Sequence, residues 1–172
     1  SELKPIPEMD QVIEWLGKNI PEDDGRVSLV HGDYRLDNLM FSSDNERVIA
    51  VLDWELSTLG HPYADLAYQC MGMRLPSGNG PGASSGLLGI DSDALGIPSE
   101  KDYIASYCQR MGIDKLDNWN FYLAFSFFRL AAIAQGVAKR AADGNASSKA
   151  AGGIATMVQP IAANALAIIN EQ

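Results

Sequence analysis

The first third of the chain has one helical pattern of apolar residues, which is followed by several short apolar runs. Pro7 opens a turn rich in acidic residues, and the apolar residues that follow recur at helical spacing, which predicts an amphipathic helix up to about Ile20. We expect its apolar stripe to contain Met9, Val12, Ile13, Leu16 and Ile20.

Three short apolar runs follow this helix, at Val27–Val30, Leu39–Phe41 and Val48–Leu52. A polar loop of residues 31–38 lies between the first and second runs, and a polar turn lies between the second and third. This order predicts three short strands in a small antiparallel sheet that displays the polar loop.

The rest of the chain is predominantly helical in pattern. The segment between Pro76 and Gly96 interrupts it, because it is rich in Gly, Ser and Pro and has no periodicity; a loop of this length is usually a functional lid or a mobile segment. The predicted fold class is therefore α+β, mostly α, in a single domain covering residues 1–172. The predicted helices run from Pro62 to about Met73, from the N-cap Ser99 to Gly112, from about Leu116 to Ala142, and from about Ser147 to Asn170.

Composition excludes some classes of function. The net charge is −9 and the pI is near 4.5, which argues against nucleic-acid binding because a phosphate backbone needs a basic surface. The sequence shows neither a signal peptide nor an uninterrupted apolar run of about 18 residues. The nearest candidate, residues 119–134, contains Arg129, so a buried helix is predicted rather than a membrane span. Cys70 and Cys108 lack metal-type spacing and are predicted to be reduced core residues, which suits a cytoplasmic location.

The strongest chemical signal is the spacing H-x-D-x-x-x-x-N from His31 to Asn38, followed by Asp53 at the end of the third predicted strand. A hydroxyl that attacks a γ-phosphate must lose its proton as the new bond forms, and the Asp33 carboxylate fits that role. Mg²⁺ takes oxygen ligands, which Asn38 and Asp53 offer. Gly32 allows a sharp turn before Asp33. The pattern predicts a kinase-type phosphotransferase that uses ATP and Mg²⁺.

Residues 29–67 resemble the catalytic segment of the aminoglycoside phosphotransferase and choline kinase group. The loop motif is H-G-D-Y-R-L-D-N-L, the metal-binding motif is V-L-D-W-E, and G-H-P-Y-A-D-L-A is similar to the motif that follows in this family. The resemblance implies a kinase-like fold with Asp33 as catalytic base, Asn38 and Asp53 as metal and nucleotide ligands, and His31 orienting the loop. The longer pattern L-D-W-E-L-S-T-L-G-x-P-x-A-D-L-A, residues 52–67, resembles the same stretch in the subgroup associated with acyl-CoA dehydrogenases.

Residues beside these motifs have more ordinary expected roles. Asp65 lies in the first turn of a helix, where backbone N–H groups stabilise a carboxylate, so a structural role is favoured over a catalytic one. Trp54 is expected to pack against the loop. Glu55 is expected either to contact the site residues from outside or to accept a hydrogen bond from a cationic acceptor. Arg35 is expected either to approach a substrate or to be solvated. His61 stands where the family usually has Asp.

The chain resembles only the C-terminal lobe of such a kinase. Only 26 residues precede the first predicted strand, too few for a nucleotide-binding lobe with a phosphate-covering loop. We expect the N-terminal lobe of the same polypeptide to be a partner, and the 172-residue chain to transfer phosphate poorly by itself.

Two other functions remain open at this stage. One is a metallophosphoesterase built on His31, Asp33, Asp53 and His61, although two-metal hydrolases usually draw on more than the two histidines present. The other is a non-catalytic, pseudokinase-like binding lobe. The acceptor is expected to be a small molecule with a hydroxyl group; the family's acceptors include aminoglycosides, choline-like amines and amino alcohols, and the subgroup resemblance favours a hydroxyacyl compound.

Overall fold

The computed structural model describes residues 5–78, 86–143 and 154–171, and the descriptions below concern those residues. They form five α-helices, four short strands and three single 3₁₀ turns. The helices are α1 (Pro7–Lys18), α2 (Tyr63–Arg74), α3 (Glu100–Met111), α4 (Trp119–Ala142) and α5 (Val158–Asn170). The strands are β1 (Ser28–Val30), β2 (Leu39–Phe41), β3 (Val48–Val51) and β4 (Thr58–Gly60), and the 3₁₀ turns are Leu36–Asn38, Trp54–Leu56 and Ala155–Met157.

Helix α4 is the centre of the helical core and packs along α5, α2 and α1. Its Leu123 and Phe127 side chains are fully buried, as are Val12 of α1 and Cys70 of α2. A helix that is apolar on nearly all faces is stable where other helices surround it. By length and composition α4 is also apolar enough to cross a bilayer, the one such helix in the described part of the chain. Its central packing agrees with the prediction, but Phe125 is 41% exposed and Ile133 is 48% exposed, so α4 is not buried on all sides.

The first helix was predicted with too wide an apolar stripe. Met9, Val12 and Leu16 are buried, but Ile13 is 51% exposed and Ile20 is 71% exposed. Helix α1 ends at Lys18, so Ile20 lies beyond it, and Ile13 projects from the flank of the stripe. The structure therefore corrects the sequence prediction at these two positions.

The strands form two antiparallel pairs. Strand β1 pairs with β4, with Leu29 opposite Leu59, and β2 pairs with β3 with an irregularity between Met40 and Phe41. All three predicted strands are present, and the fold class of a mostly helical α+β domain with a small antiparallel sheet is confirmed. The fourth strand was missed because Thr58–Gly60 has a single apolar residue and ends in glycine, whereas the equally short strand β2 is apolar throughout. Since β1 pairs with β4, it does not join the other two strands in one sheet.

The predicted helix limits hold well around α2 and α3. Helix α2 follows Pro62, and the Ser99 hydroxyl accepts the Asp102 backbone N–H at 3.2 Å as an N-cap. Gly112, with φ of 65°, ends α3. Helix α4 begins at Trp119, three residues later than predicted.

Two predicted segments lie partly outside the described residues. In the long loop between Pro76 and Gly96, residues 79–85 are not described, and beyond them Leu88 forms a bridge with Pro76. In the predicted final helix, residues 147–153 are not described; the remainder forms the turn Ala155–Met157 and helix α5.

Both cysteines are free and buried, as predicted for core residues. Burial raises the pKa of the Cys70 thiol to about 12, and the Glu100 charge adds to this shift. Cys70 therefore remains a protonated thiol packed against the other core side chains at neutral pH.

Candidate active site

The loop of residues 31–38, here named the catalytic loop, is organised around the buried imidazole of His31. Its Nε2–H donates to the Leu52 carbonyl oxygen at 2.7 Å, and its Nδ1 accepts the Asp33 backbone N–H at 3.2 Å. These partners specify the neutral tautomer that carries its proton on Nε2. Because both ring nitrogens are engaged within the protein, the geometry suits the predicted loop-orienting role of His31.

Asp33 and Asn38 are in direct contact across the catalytic loop. The 3₁₀ turn Leu36–Asn38 brings the Asn38 side chain back over the loop, where its Nδ2 donates to the Asp33 carbonyl at 2.8 Å and to the Asp33 carboxylate at 3.1 Å. The amide nitrogen is thus engaged, and the amide oxygen is the atom that can bind a cation.

Asp53 is joined to this loop through the residue before it. The Leu52 N–H donates to the Asn38 carbonyl at 2.8 Å, while the Leu52 carbonyl accepts from His31. Asp53 itself is exposed and adopts the left-handed conformation, with φ of 65° and ψ of 53°. A residue other than Gly adopts this conformation at a cost of about 1–2 kcal/mol, and Asp tolerates it better than most. His31, Asp33 and Asn38 therefore belong to one hydrogen-bonded unit, and Asp53 follows directly on Leu52, whose backbone is bonded to that unit.

Gly32 is enclosed by the backbone of the 3₁₀ turn Trp54–Leu56. Its φ is +85°, and a Cβ at this position would lie 2.6 Å from the Leu56 carbonyl oxygen. Glycine is thus needed both for the conformation and for the close approach.

Asp65 of α2 holds the same glycine from another side. Its carboxylate accepts the backbone N–H of His31 at 2.6 Å and that of Gly32 at 2.9 Å. The geometry agrees with the structural role expected for Asp65, but the reason given from the sequence was wrong. The N–H groups that it satisfies belong to the catalytic loop and not to its own helix.

Arg129 of α4 is a contact that the sequence analysis missed. Its guanidinium donates to the Gly32 carbonyl oxygen and lies 4.6 Å above the centre of the Tyr68 ring. A single arginine inside the most apolar helix was the available signal, because a charged side chain in such a position needs a partner.

Tyr68 lies beside Asp33 and borders a cavity of about 510 Å³. Burial raises the pKa of the Tyr68 phenol, and the Asp33 carboxylate raises it further through a hydrogen bond and through its charge. Arg35 and Asp37 form a polar edge of the cavity. Most of its lining is apolar and comes from α2, α4, α5 and nearby segments, including Met71, Leu75, Leu130, Ile133, Val137 and Ile161.

The residues around the loop have identifiable contacts. Trp54 donates its indole N–H to the Val51 carbonyl at 2.8 Å, and its ring lies 4.7 Å from the His31 ring, so it packs against the catalytic loop as predicted. Arg35 pairs with Asp37, and both side chains are largely exposed. Glu55 is exposed.

His61 belongs to a different cluster. Its Nε2 lies 3.3 Å from an Asp24 carboxylate oxygen, its Nδ1 accepts the Tyr63 N–H, and its ring stacks on Tyr122 at 4.9 Å. In the described residues no group of three or more His, Cys, Asp and Glu side chains is arranged to hold a metal ion. With the ring nitrogens of both histidines engaged, the structure offers no support for the metallophosphoesterase alternative.

The site is suited to Mg²⁺ by the chemistry of its donors. The Asn38 amide oxygen and the exposed Asp53 carboxylate are hard oxygen ligands, and Mg²⁺ is commonly bound by one or two such protein groups together with phosphate and water.

Comparison with known proteins identifies the family and the fold of the chain. The sequence profile of the phosphotransferase enzyme family matches residues 1–89. A crystal structure from Ralstonia eutropha JMP134, named for the aminoglycoside phosphotransferases, superimposes with a TM-score of 0.90 and 47% identity, and the match covers 99% of this chain and 51% of that one.

Curated relatives include mouse acyl-CoA dehydrogenase family member 10, which is 52% identical over 88% of this chain and 14% of its own length. Human acyl-CoA dehydrogenase family member 11 is 48% identical over 94% of this chain and 20% of its own length. The chain thus spans about a fifth or less of these relatives. It belongs to the phosphotransferase enzyme family, with the kinase-like aminoglycoside phosphotransferase fold, and its relatives are acyl-CoA dehydrogenase family members 10 and 11.

Proposed function

We propose that this chain supplies the catalytic base and the metal ligands of an ATP-dependent phosphotransferase acting on the hydroxyl group of a small molecule. The observation that carries the proposal is the hydrogen-bonded unit in which His31 and Asn38 hold Asp33 while Leu52 joins Asp53 to both. Base and metal ligands must be placed together in this way for in-line transfer of a γ-phosphate.

Asp33 is the base in this mechanism. The acceptor hydroxyl oxygen forms a bond to the γ-phosphorus, the bond between that phosphorus and the leaving ADP oxygen breaks, and the hydroxyl proton passes to the Asp33 carboxylate. Asn38 donates to that carboxylate and keeps it oriented toward the acceptor. His31 fixes the Asp33 backbone by accepting its N–H.

Asn38 and Asp53 hold Mg²⁺ in this proposal, through the amide oxygen and the carboxylate. When bound, the ion would neutralise charge on the phosphate oxygens during transfer. The left-handed backbone at Asp53 is consistent with a functional constraint, because strained residues tend to occur at active sites.

The cavity beside Tyr68 supports an acceptor with an apolar portion. Its lining from α2, α4 and α5 is mostly apolar, and at its edge the positive charge of Arg35 is paired with the negative charge of Asp37. Aminoglycosides and choline-like amines are cationic and polar, and they would find little to bind there. A hydroxyacyl compound fits better, with its chain in the cavity and its hydroxyl at Asp33, and the acyl-CoA dehydrogenase names of the relatives agree with this choice.

The nucleotide-binding lobe of the same polypeptide is the proposed partner of an exposed apolar surface. The cross-strand pair Leu29 and Leu59 is 60% and 73% exposed, and Leu56, two residues before β4, is 56% exposed. Exposed apolar groups that adjoin each other commonly mark interfaces. On this proposal the 172-residue chain by itself transfers phosphate poorly or not at all.

An acceptor screen on the full-length polypeptide with ATP and Mg²⁺ tests the function. We expect transfer to hydroxyacyl compounds, with kcat/KM rising with chain length until the cavity is filled, and little transfer to aminoglycosides or choline. Preference for a cationic acceptor would contradict the acceptor proposal alone. ATP binding without transfer to any acceptor would favour the non-catalytic binding lobe.

A further inference from the structure

We propose that Arg129 is a positioning residue for the catalytic base, and this inference rests on the phosphotransferase function proposed above. Arg129 lies on α4, 97 positions from the glycine whose carbonyl it binds. It touches the backbone just before Asp33, and it is not itself proposed to contact the substrate.

The argument depends on the peptide unit that joins Gly32 to Asp33. The carbonyl end of this unit accepts from the Arg129 guanidinium, and its N–H end donates to Nδ1 of His31 at 3.2 Å. The preceding N–H, that of Gly32, donates to Asp65 at 2.9 Å. With both ends of the peptide fixed, the direction in which the Asp33 side chain leaves the backbone is fixed as well.

The surroundings of Arg129 show that its charge is directed at the catalytic loop. It forms no ion pair with a carboxylate among the residues that the structure describes. Its described partners are the Gly32 carbonyl and the face of the Tyr68 ring, 4.6 Å from the guanidinium carbon. A hydrogen bond from a charged donor is stronger than one between neutral groups, and the acceptor of this one is the backbone just before Asp33.

Tyr68 connects this contact to the base itself. The phenol lies beside Asp33 and borders the cavity proposed for the acceptor, and its ring supports the guanidinium from below. Arg129 therefore contacts two groups together: the Tyr68 ring in the wall of the proposed acceptor cavity, and the backbone just before the catalytic base. Displacement of a reacting group by about 1 Å can lower a rate on the order of a hundredfold, so such bracing has a measurable effect.

The test compares Arg129→Met, Arg129→Lys and Arg140→Met in the full-length polypeptide. Arg140 lies on the same helix and is exposed, so it controls for loss of a positive charge from α4. We expect Arg129→Met to lower kcat by about tenfold to a hundredfold with the KM for ATP within about twofold of wild type. Arg129→Lys, which retains one donor for the Gly32 carbonyl, should recover part of kcat.

Hydrogen–deuterium exchange of the peptide covering residues 31–38, followed by mass spectrometry, gives a readout that needs no activity. We expect faster exchange in Arg129→Met than in wild type or Arg140→Met, with Arg129→Lys intermediate. Unchanged exchange in Arg129→Met would overturn the proposal, and so would faster exchange with kcat equal to that of Arg140→Met. If wild type transfers no phosphate, the proposed function fails. The exchange comparison then decides by itself whether Arg129 holds the catalytic loop in place. If Arg129→Met does not fold, the Arg129→Lys comparison decides in the same way.

Discussion

The Asp65 carboxylate accepts the backbone N–H of Gly32 at 2.9 Å, across 33 positions of the sequence. Its other oxygen accepts the N–H of His31. One side chain of α2 thus satisfies two adjacent donors at the point where the catalytic loop leaves β1, and it does so close to Asp33.

Asp65→Asn should therefore weaken the catalytic loop. The amide has one oxygen, so one of the two loop N–H groups loses its acceptor, and a buried unsatisfied donor costs about 1–3 kcal/mol. We expect a lower free energy of unfolding by urea and a lower kcat. The matched control is Asp102→Asn, because Asp102 is likewise the third residue of a 12-residue helix but contacts its own N-cap. Equal effects of the two substitutions would contradict the loop contact.

Gly32→Ala tests the close approach between the catalytic loop and the 3₁₀ turn Trp54–Leu56. A left-handed backbone costs a non-glycine residue about 1–2 kcal/mol, and at Gly32 the new Cβ would also lie 2.6 Å from the Leu56 carbonyl oxygen. Gly25→Ala is the control, because Gly25 has φ of +75° and nothing within 4 Å of its Cβ position. We expect Gly32→Ala to lower the free energy of unfolding clearly more than Gly25→Ala. A smaller loss at Gly32 would show that the two segments are not held together.

Val137→Trp tests whether the cavity binds the acceptor chain. Val137 lines the cavity from α4, and the larger ring would fill part of the volume of about 510 Å³. We expect KM for a long-chain hydroxyacyl acceptor to rise on the order of tenfold or more, with KM for ATP unchanged. Ile13→Trp, on the exposed side of α1, should leave both constants unchanged. Equal KM values for the long-chain acceptor in the two variants would show that its acyl chain binds outside this cavity.

Cys70 gives the fold a specific dependence on alkaline pH. Burial raises the pKa of its thiol from 9.0 to about 12, so the unfolded chain loses its proton first. Below pH 9 the thiol is protonated in both states and its contribution to stability is complete. Between pH 9 and about 12 the free energy of unfolding falls by about 1.4 kcal/mol per pH unit, because only the unfolded chain has lost the proton. Urea unfolding of wild type and Cys70→Ala at pH 7.5 and pH 10 should show a smaller pH-dependent loss in the variant. Parallel losses would refute the buried thiol as their source.

The local part of the site was predictable from the sequence, because its contacts span few residues. His31, Asp33 and Asn38 lie within eight positions, and a single turn brings them together. Their roles in catalysis remain predictions, since the geometry shows how they are held but not what they bind.

The distant supports of the site were not predictable in the same way. Asp65 reaches the loop from a helix whose first turn accounts equally well for a carboxylate. The position of Arg129 in an apolar helix indicated that it needed a partner, but no sequence pattern shows that the partner is Gly32, 97 positions away. Strand β4 was missed because Thr58–Gly60 contains only one apolar residue and so forms no apolar run. Ile13 shows the opposite error, since an apolar residue on the edge of a helix stripe need not be buried.

The most direct test of the account is the turnover of Asp33→Asn in the full-length polypeptide, measured with ATP, Mg²⁺ and the preferred acceptor. Asparagine keeps the shape of the side chain but cannot accept the hydroxyl proton, so kcat should fall about 10²- to 10⁴-fold while ATP still binds. Asp44→Asn, in the exposed turn between β2 and β3 and away from the cavity, should turn over as wild type does. Turnover of Asp33→Asn within twofold of wild type would contradict the assignment of Asp33 as the base.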